Sequence, residues 1–143
     1  MKNCFFGVTF MLLMVNASAC KFAARSLEQR VAGAEEIFIA NLLESKVMPI
    51  DDRHKWPWRE GRFQVKQTLK GGEQPEEIML ATGLGGGDCG VRMMVLRNYV
   101  IFKGRQDTDI ADPSGTRVIE DVEVEELTEK IQSIMCQQQH GES

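Results

Sequence analysis

The sequence predicts a mainly β protein: a small barrel of short strands, with one short helix before it and one amphipathic helix after it. Three observations carry this reading. Residues 62–69, Arg-Phe-Gln-Val-Lys-Gln-Thr-Leu, alternate with the period of a half-buried strand, Phe63 and Val65 on one face and charged or amide side chains on the other. Residues 36–48 open on Ile37-Phe38-Ile39-Ala40, a run too apolar and branched for an exposed helix. Residues 123–136 set Val124, Leu127, Ile131 and Ile134 or Met135 at helical spacing, with Glu and Gln between them.

The first segment is read for export. Lys2 supplies a positive start, and from Cys4 to Val15 every residue is apolar or small apart from Thr9. Asn16 interrupts the run before it reaches the roughly 20 apolar residues that a membrane-spanning helix needs. Ala17-Ser18-Ala19 then fit a small-residue cleavage site, so residues 1–19 are expected to be a signal peptide and the mature chain to begin at Cys20. A Cys at that junction also fits a lipoprotein, in which Cys20 is acylated and tethers the chain to a membrane. Lipoprotein signals usually carry Leu three residues before the Cys and an apolar residue before that; here Ala17 and Asn16 stand there, which favours a free Cys20. Both readings remain open.

Beyond the cleavage point, residues 20–136 are expected to form one folded domain and the polar residues 137–143 a loose tail. Ser26 precedes Leu27-Glu28-Gln29-Arg30-Val31-Ala32 and caps a short helix whose Leu27, Val31 and Ala34 share one side. The first strand follows over 36–48, then a loop from Pro49 to Glu60 and the alternating second strand. Lys70-Gly71-Gly72-Glu73 is a turn signal, Glu77–Thr82 a third strand, Arg97–Lys103 a fourth, and Thr108–Ala111 a weaker one. The amphipathic helix closes the chain.

The chain carries 21 acidic against 17 basic residues, a formal net charge of −4, and loss of Lys2 makes it more acidic. That balance argues against a nucleic-acid partner, whose phosphates require a basic face. Cys20, Cys89 and Cys136 survive cleavage. In an oxidising compartment an odd set means one pair and a leftover thiol, or a lipidated Cys20 with the other two paired.

Taken together, Cys20, Ser26-Leu27-Glu28-Gln29-Arg30, the run Ala34-Glu35-Glu36-Ile37-Phe38-Ile39-Ala40, Phe63-Gln64-Val65 leading to Leu69-Lys70-Gly71, and Gly87-Asp88-Cys89-Gly90 form a pattern. It resembles the inhibitory domain of the tissue inhibitors of metalloproteinases, and more closely the short bacterial proteins similar to them, from Cys20 to about Ile119. The resemblance implies a five-stranded barrel of the oligonucleotide/oligosaccharide-binding (OB-fold) type, also called netrin-like. It also implies a disulfide between Cys20 and Cys89, and a non-enzymatic role in which the Cys20 amine and carbonyl bind the zinc of a target metalloendopeptidase. Lys21, Asp88 and Gly90 would contact that target. No cofactor is implied, and a membrane is involved only if Cys20 is lipidated. The chain departs from the family where a second disulfide usually stands: Phe22 and Pro113 occupy its two positions.

The chemistry is sound in itself. A catalytic zinc keeps one position open for water or substrate. An α-amino group with a pKa of roughly 7.7–8 is appreciably neutral near pH 7 and forms a five-membered chelate ring with its own carbonyl.

Other features read more plainly. Gly83-Leu84-Gly85-Gly86-Gly87-Asp88-Cys89-Gly90 lacks the Lys-Ser/Thr of a phosphate loop and sits between strands, so it reads as a turned loop presenting Cys89. Trp56-Pro57-Trp58 is expected to close a barrel end in preference to forming a partner-binding ridge. His54 and His140 show no metal-ligand spacing, Asp51-Asp52 and Glu76-Glu77 read as solvated surface, and Cys136 as a small buried apolar residue. No catalytic grouping suggests an enzyme.

The exported protein is expected to show an intact mass that starts at Cys20 with an unmodified amine. A mass raised by a diacylglyceryl group selects the lipoprotein reading, and one that retains residues 1–19 contradicts cleavage.

Overall fold

A computed structural model describes residues 23–85 and 87–141. The expected signal peptide, Cys20 and Lys21 lie outside the described residues. In chain order the elements are α1 (Leu27–Gly33), β1 (Glu36–Met48), β2 (Trp58–Lys70), β3 (Glu77–Thr82), β4 (Asn98–Lys103), a single 3₁₀ turn (Asp112–Ser114), β5 (Arg117–Ile119) and α2 (Asp121–His140). The fold is mainly β, with the short N-terminal helix and the C-terminal helix where the sequence puts them.

The five strands form one antiparallel sheet in the order β3-β2-β1-β4-β5. It is barrel-like but not closed by a continuous ladder. Among the described residues, the outer edge of β3 meets only the segment after β4, through an isolated parallel bridge between Ala81 and Asp109. The Ala81 amide donates to the Thr108 carbonyl at 2.8 Å, and the Ile110 amide to the Ala81 carbonyl at 2.8 Å. Residues 108–111, read as a weak strand, therefore make bridges only, and the fifth ladder strand is Arg117–Ile119. At three residues, β5 is too short to display a period.

β1 organises the molecule. It pairs along its length with β2 on one side and over Glu36–Asn41 with β4 on the other. Because successive side chains point to opposite faces, its apolar opening feeds two cores. Ile37 and Ile39, with Val100 and Phe102 of β4, pack against Val31 of α1 and Leu127, Ile131 and Ile134 of α2. Phe38, Ala40 and Leu42 face the other way, onto Phe63, Leu80, Val91, Met93, Tyr99, Ile101 and Ile110. Phe63 and Tyr99 meet edge to face, ring centroids 5.3 Å apart.

Two polar devices fix the β1 start. Glu36 and Lys103 are cross-strand partners, and the Lys103 ammonium lies 2.6 Å from the Glu36 carboxylate, with both side chains nearly fully buried. Lys103 Nζ also donates to the Gly104 and Arg105 carbonyls, so the buried ammonium is fully used. α1 starts with the expected cap: the Gln29 amide donates to Ser26 Oγ and the Ser26 amide to Gln29 Oε1.

Four further sequence expectations are corrected. The loop after β1 ends at Pro57, not Glu60, since β2 pairs from Trp58 opposite Met48. Gln137–His140, assigned to the tail, are helical. Cys136 is exposed, because α2 turns Leu127, Ile131 and Ile134 inward and leaves that position on its outer side. The tryptophans divide: Trp58 is 7% exposed and Trp56 is 76% exposed. No described helix is long and apolar enough to cross a membrane.

Ile131→Ala, which truncates a fully buried side chain joining α2 to β1, is expected to cost about 2–5 kcal/mol in denaturant unfolding. Val122→Ala, at 86% exposure on the same helix, is expected to stay within about 0.5 kcal/mol. Equal effects would contradict this assignment of the buried face.

Candidate functional site

The sequence places the candidate site at the Cys89 loop, and the sheet register locates that loop. Val47 of β1, Arg59 of β2 and Thr82 of β3 lie in one row across three strands. The loop leaving Thr82 therefore rises from the same end of the sheet as the β1–β2 turn.

Asp88 holds this loop in shape. Its carboxylate accepts from the Leu84 amide at 2.7 Å, the Gly85 amide at 2.8 Å and the Gly90 amide at 3.0 Å. Partial burial pushes the carboxyl upward, but these backbone donors outweigh it and hold its pKa below the ordinary Asp value. The glycines allow the wrap. A Cβ at Gly83 would run into the Asp88 carboxylate, and one at Gly90 would run into the backbone of Gly83 and Gly85.

Cys89 sits in the left-handed region at φ 58°, unusual for a residue with a Cβ. Its carbonyl accepts from the Asp112 amide at 3.0 Å, and Gly90 bridges to Ala111. One residue on, the Val91 amide donates to the buried Thr82 hydroxyl at 2.8 Å. The loop is thus tied to the end of β3 and to the 111–112 segment. Cys89 is disulfide-bonded, whereas Cys136 is free.

Of the expected site residues, Asp88, Cys89 and Gly90 come together here as one hydrogen-bonded unit. In it Asp88 is committed to backbone amides, a structural task that the target-contact expectation did not include. Cys20 and Lys21 lie outside the described residues. Among the described residues no group of three or more His, Cys, Asp or Glu is placed to hold a metal ion.

The β1–β2 turn is built around His54. Its ring stacks on Trp58 with centroids 4.2 Å apart, and Nδ1 lies 2.9 Å from Asp51 Oδ1. Asp51 Oδ1 also accepts from the Arg53 and His54 amides. Burial pushes the Asp51 carboxyl upward, but these hydrogen bonds outweigh it and leave its pKa lowered. Nε2 of His54 is 3.7 Å from Asp109, which connects the turn to the segment bridging β3. Asp51, read as solvated surface, is exposed and serves in addition as a structural acceptor. Outside this frame Val47, Ile50 and Trp56 stay exposed. The sequence signal for that division is Pro57: it cannot donate to a ladder, so the strand begins after it and Trp56 is left in the loop.

No protein-family model matches the chain, and no curated protein matches it either.

The depressed Asp88 pKa fixes the sign of a pH effect. Asp88 stabilises the folded loop above the ordinary carboxylate range, near pH 4, and that contribution is lost as pH falls through its lower folded value. The amide resonances of Leu84, Gly85 and Gly90 are expected to titrate together below about pH 4 and to be flat over that range in Asp88→Asn. Unchanged titration in the variant would contradict the assignment.

Proposed function

We propose that the chain is an exported, non-enzymatic domain that caps the catalytic zinc of a metalloendopeptidase with the amine and carbonyl of Cys20, its mature N-terminus. The observation that carries this reading is the Cys89 loop. A disulfide-bonded residue in left-handed backbone, fixed by the Asp88 carboxylate and by the Cys89 carbonyl to Asp112, is a rigid anchor for whatever the disulfide holds. The proposed partner is Cys20, as the resemblance implies.

Such a bridge would close a loop of about 70 residues, worth about 4 kcal/mol in the chain-entropy model. Its larger effect on binding is to hold the terminus in place beforehand, which lowers the entropy lost on docking. The exposed Val47, Ile50 and Trp56 lie at the same end of the sheet and supply apolar contact area beside the anchor.

A second reading shares the fold. If Cys20 is acylated, its nitrogen is no longer a zinc ligand, and the barrel serves as a membrane-tethered binding or assembly module. Its motive is a Cys placed directly after the small residues Ala17-Ser18-Ala19, together with the odd number of cysteines left after cleavage.

Titration of the exported protein against a panel of zinc endopeptidases separates the two. Inhibition by the free-amine form, and its loss by at least tenfold after selective acetylation of that amine, is expected. A free amine with no inhibition of any protease contradicts the zinc-capping reading.

A further inference from the structure

A groove of about 640 Å³ opens beside the Cys89 loop, between Arg59 of β2 and the 91–94 segment. Its charged lining is Arg59 and Arg92, its lining also includes Leu84, Val91, Met93 and Met94, and among the described residues no Asp or Glu lines it. In a chain with net charge −4, that is a local reversal of sign. Neither guanidinium forms an ion pair among the described residues, whereas Arg62, Arg97 and Arg117 each do. Arg59 Nε is buried and has no hydrogen-bond partner among the described residues. A buried donor without an acceptor is costly, so an unpaired Arg59 marks a local polar strain beside the groove.

The two arginines are held by the fold. Arg59 sits in the row between Val47 and Thr82. Arg92 is placed by its carbonyl, which accepts from Tyr99 Oη at 2.8 Å, while the Met94 amide donates to the same phenol oxygen at 2.6 Å. Burial raises the Tyr99 pKa, and the Met94 amide and then the Arg59 and Arg92 charges act against that rise. The basic cleft by α1 is a weaker candidate: its lining includes Asp107 and Asp109, and its Lys103 is committed to Glu36.

We infer that the Arg59–Arg92 groove is a binding site for a peptide carboxylate with apolar atoms beside it. A guanidinium fork matches a carboxylate, the groove offers two such groups, and the exposed Leu84 and half-buried Met94 offer apolar contact to an adjoining side chain. The inference does not rest on Cys20 or on zinc, so it stands or fails separately from the inhibitor reading.

The test uses three short acetylated peptides and the purified chain, followed by amide chemical shifts at Arg92 and Met94. One peptide ends in Leu with a free carboxylate, one is the same peptide amidated, and one is amidated with an internal Asp beside Leu. Saturable shifts with a carboxylate-bearing peptide and none with the amidated Leu peptide are expected. The free-terminus and Asp arms show whether the carboxylate comes from a chain end or a side chain.

Arg92→Gln, at an exposed position, is expected to weaken binding tenfold or more. Arg59→Lys keeps a charge but loses the planar fork, and is expected to weaken it as well. Arg105→Gln, exposed and outside the groove, is the control and is expected to bind as the parent does. Binding of the amidated Leu peptide, no binding of either carboxylate, or binding unchanged in both groove variants overturns the inference.

Discussion

The burial of β1 on both faces is the constraint on which the rest of this structure depends. A strand paired on both edges and covered on both faces must be apolar at every position, and Ile37-Phe38-Ile39-Ala40 meets that demand. One face needs the helices, because without α1 and α2 the side chains of Ile37 and Ile39 would meet water. The other needs β2, β3 and the 91–110 region to cover Phe38 and Leu42. The buried Glu36–Lys103 pair marks where this arrangement starts and holds β1 against β4 in one register. As an ion pair taken out of water it adds little net stability, but breaking it from one side would leave an uncompensated buried charge.

That central strand also positions the candidate site. The row Val47, Arg59, Thr82 runs from β1 through β2 to β3, so a register set at the core delivers the β1–β2 turn and the Cys89 loop to the same end. The connections there are then stiffened by single carboxylates. Asp51 organises the turn through two backbone amides and His54, and Asp88 organises the loop through three backbone amides. In both cases a short acidic side chain replaces the ladder partners that an irregular backbone lacks. A pre-set loop of this kind suits an anchor for binding better than a mobile one, since less entropy is lost when a partner arrives.

Much of the fold was legible because local and tertiary preferences agree. Ser26 and Gln29 announce the first helix, the branched run announces β1 with both bounds correct, and α2 displays its inward stripe of Leu127, Ile131 and Ile134. The missed parts are those where pairing acts without a sequence period. β5 is three residues long, and residues 108–111 make only isolated bridges, to Ala81 and to Gly90. For the site, the motif around Asp88, Cys89 and Gly90 was visible, but the use of Asp88 as a backbone acceptor depends on a wrap that only the folded loop creates. Trp56 and Trp58 look alike in sequence and are separated by one strand boundary. Arg59 and Arg92 lie far apart in the chain and come to line one groove only through the fold.

The central claim is that the Cys89 loop is the anchor of the mature N-terminus. Disulfide mapping of the exported protein by non-reducing proteolysis and mass spectrometry tests it most directly. The account predicts a peptide pair joining Cys20 to Cys89, with Cys136 recovered as a free thiol. A Cys89–Cys136 link, or a Cys89 recovered unpaired, would contradict it.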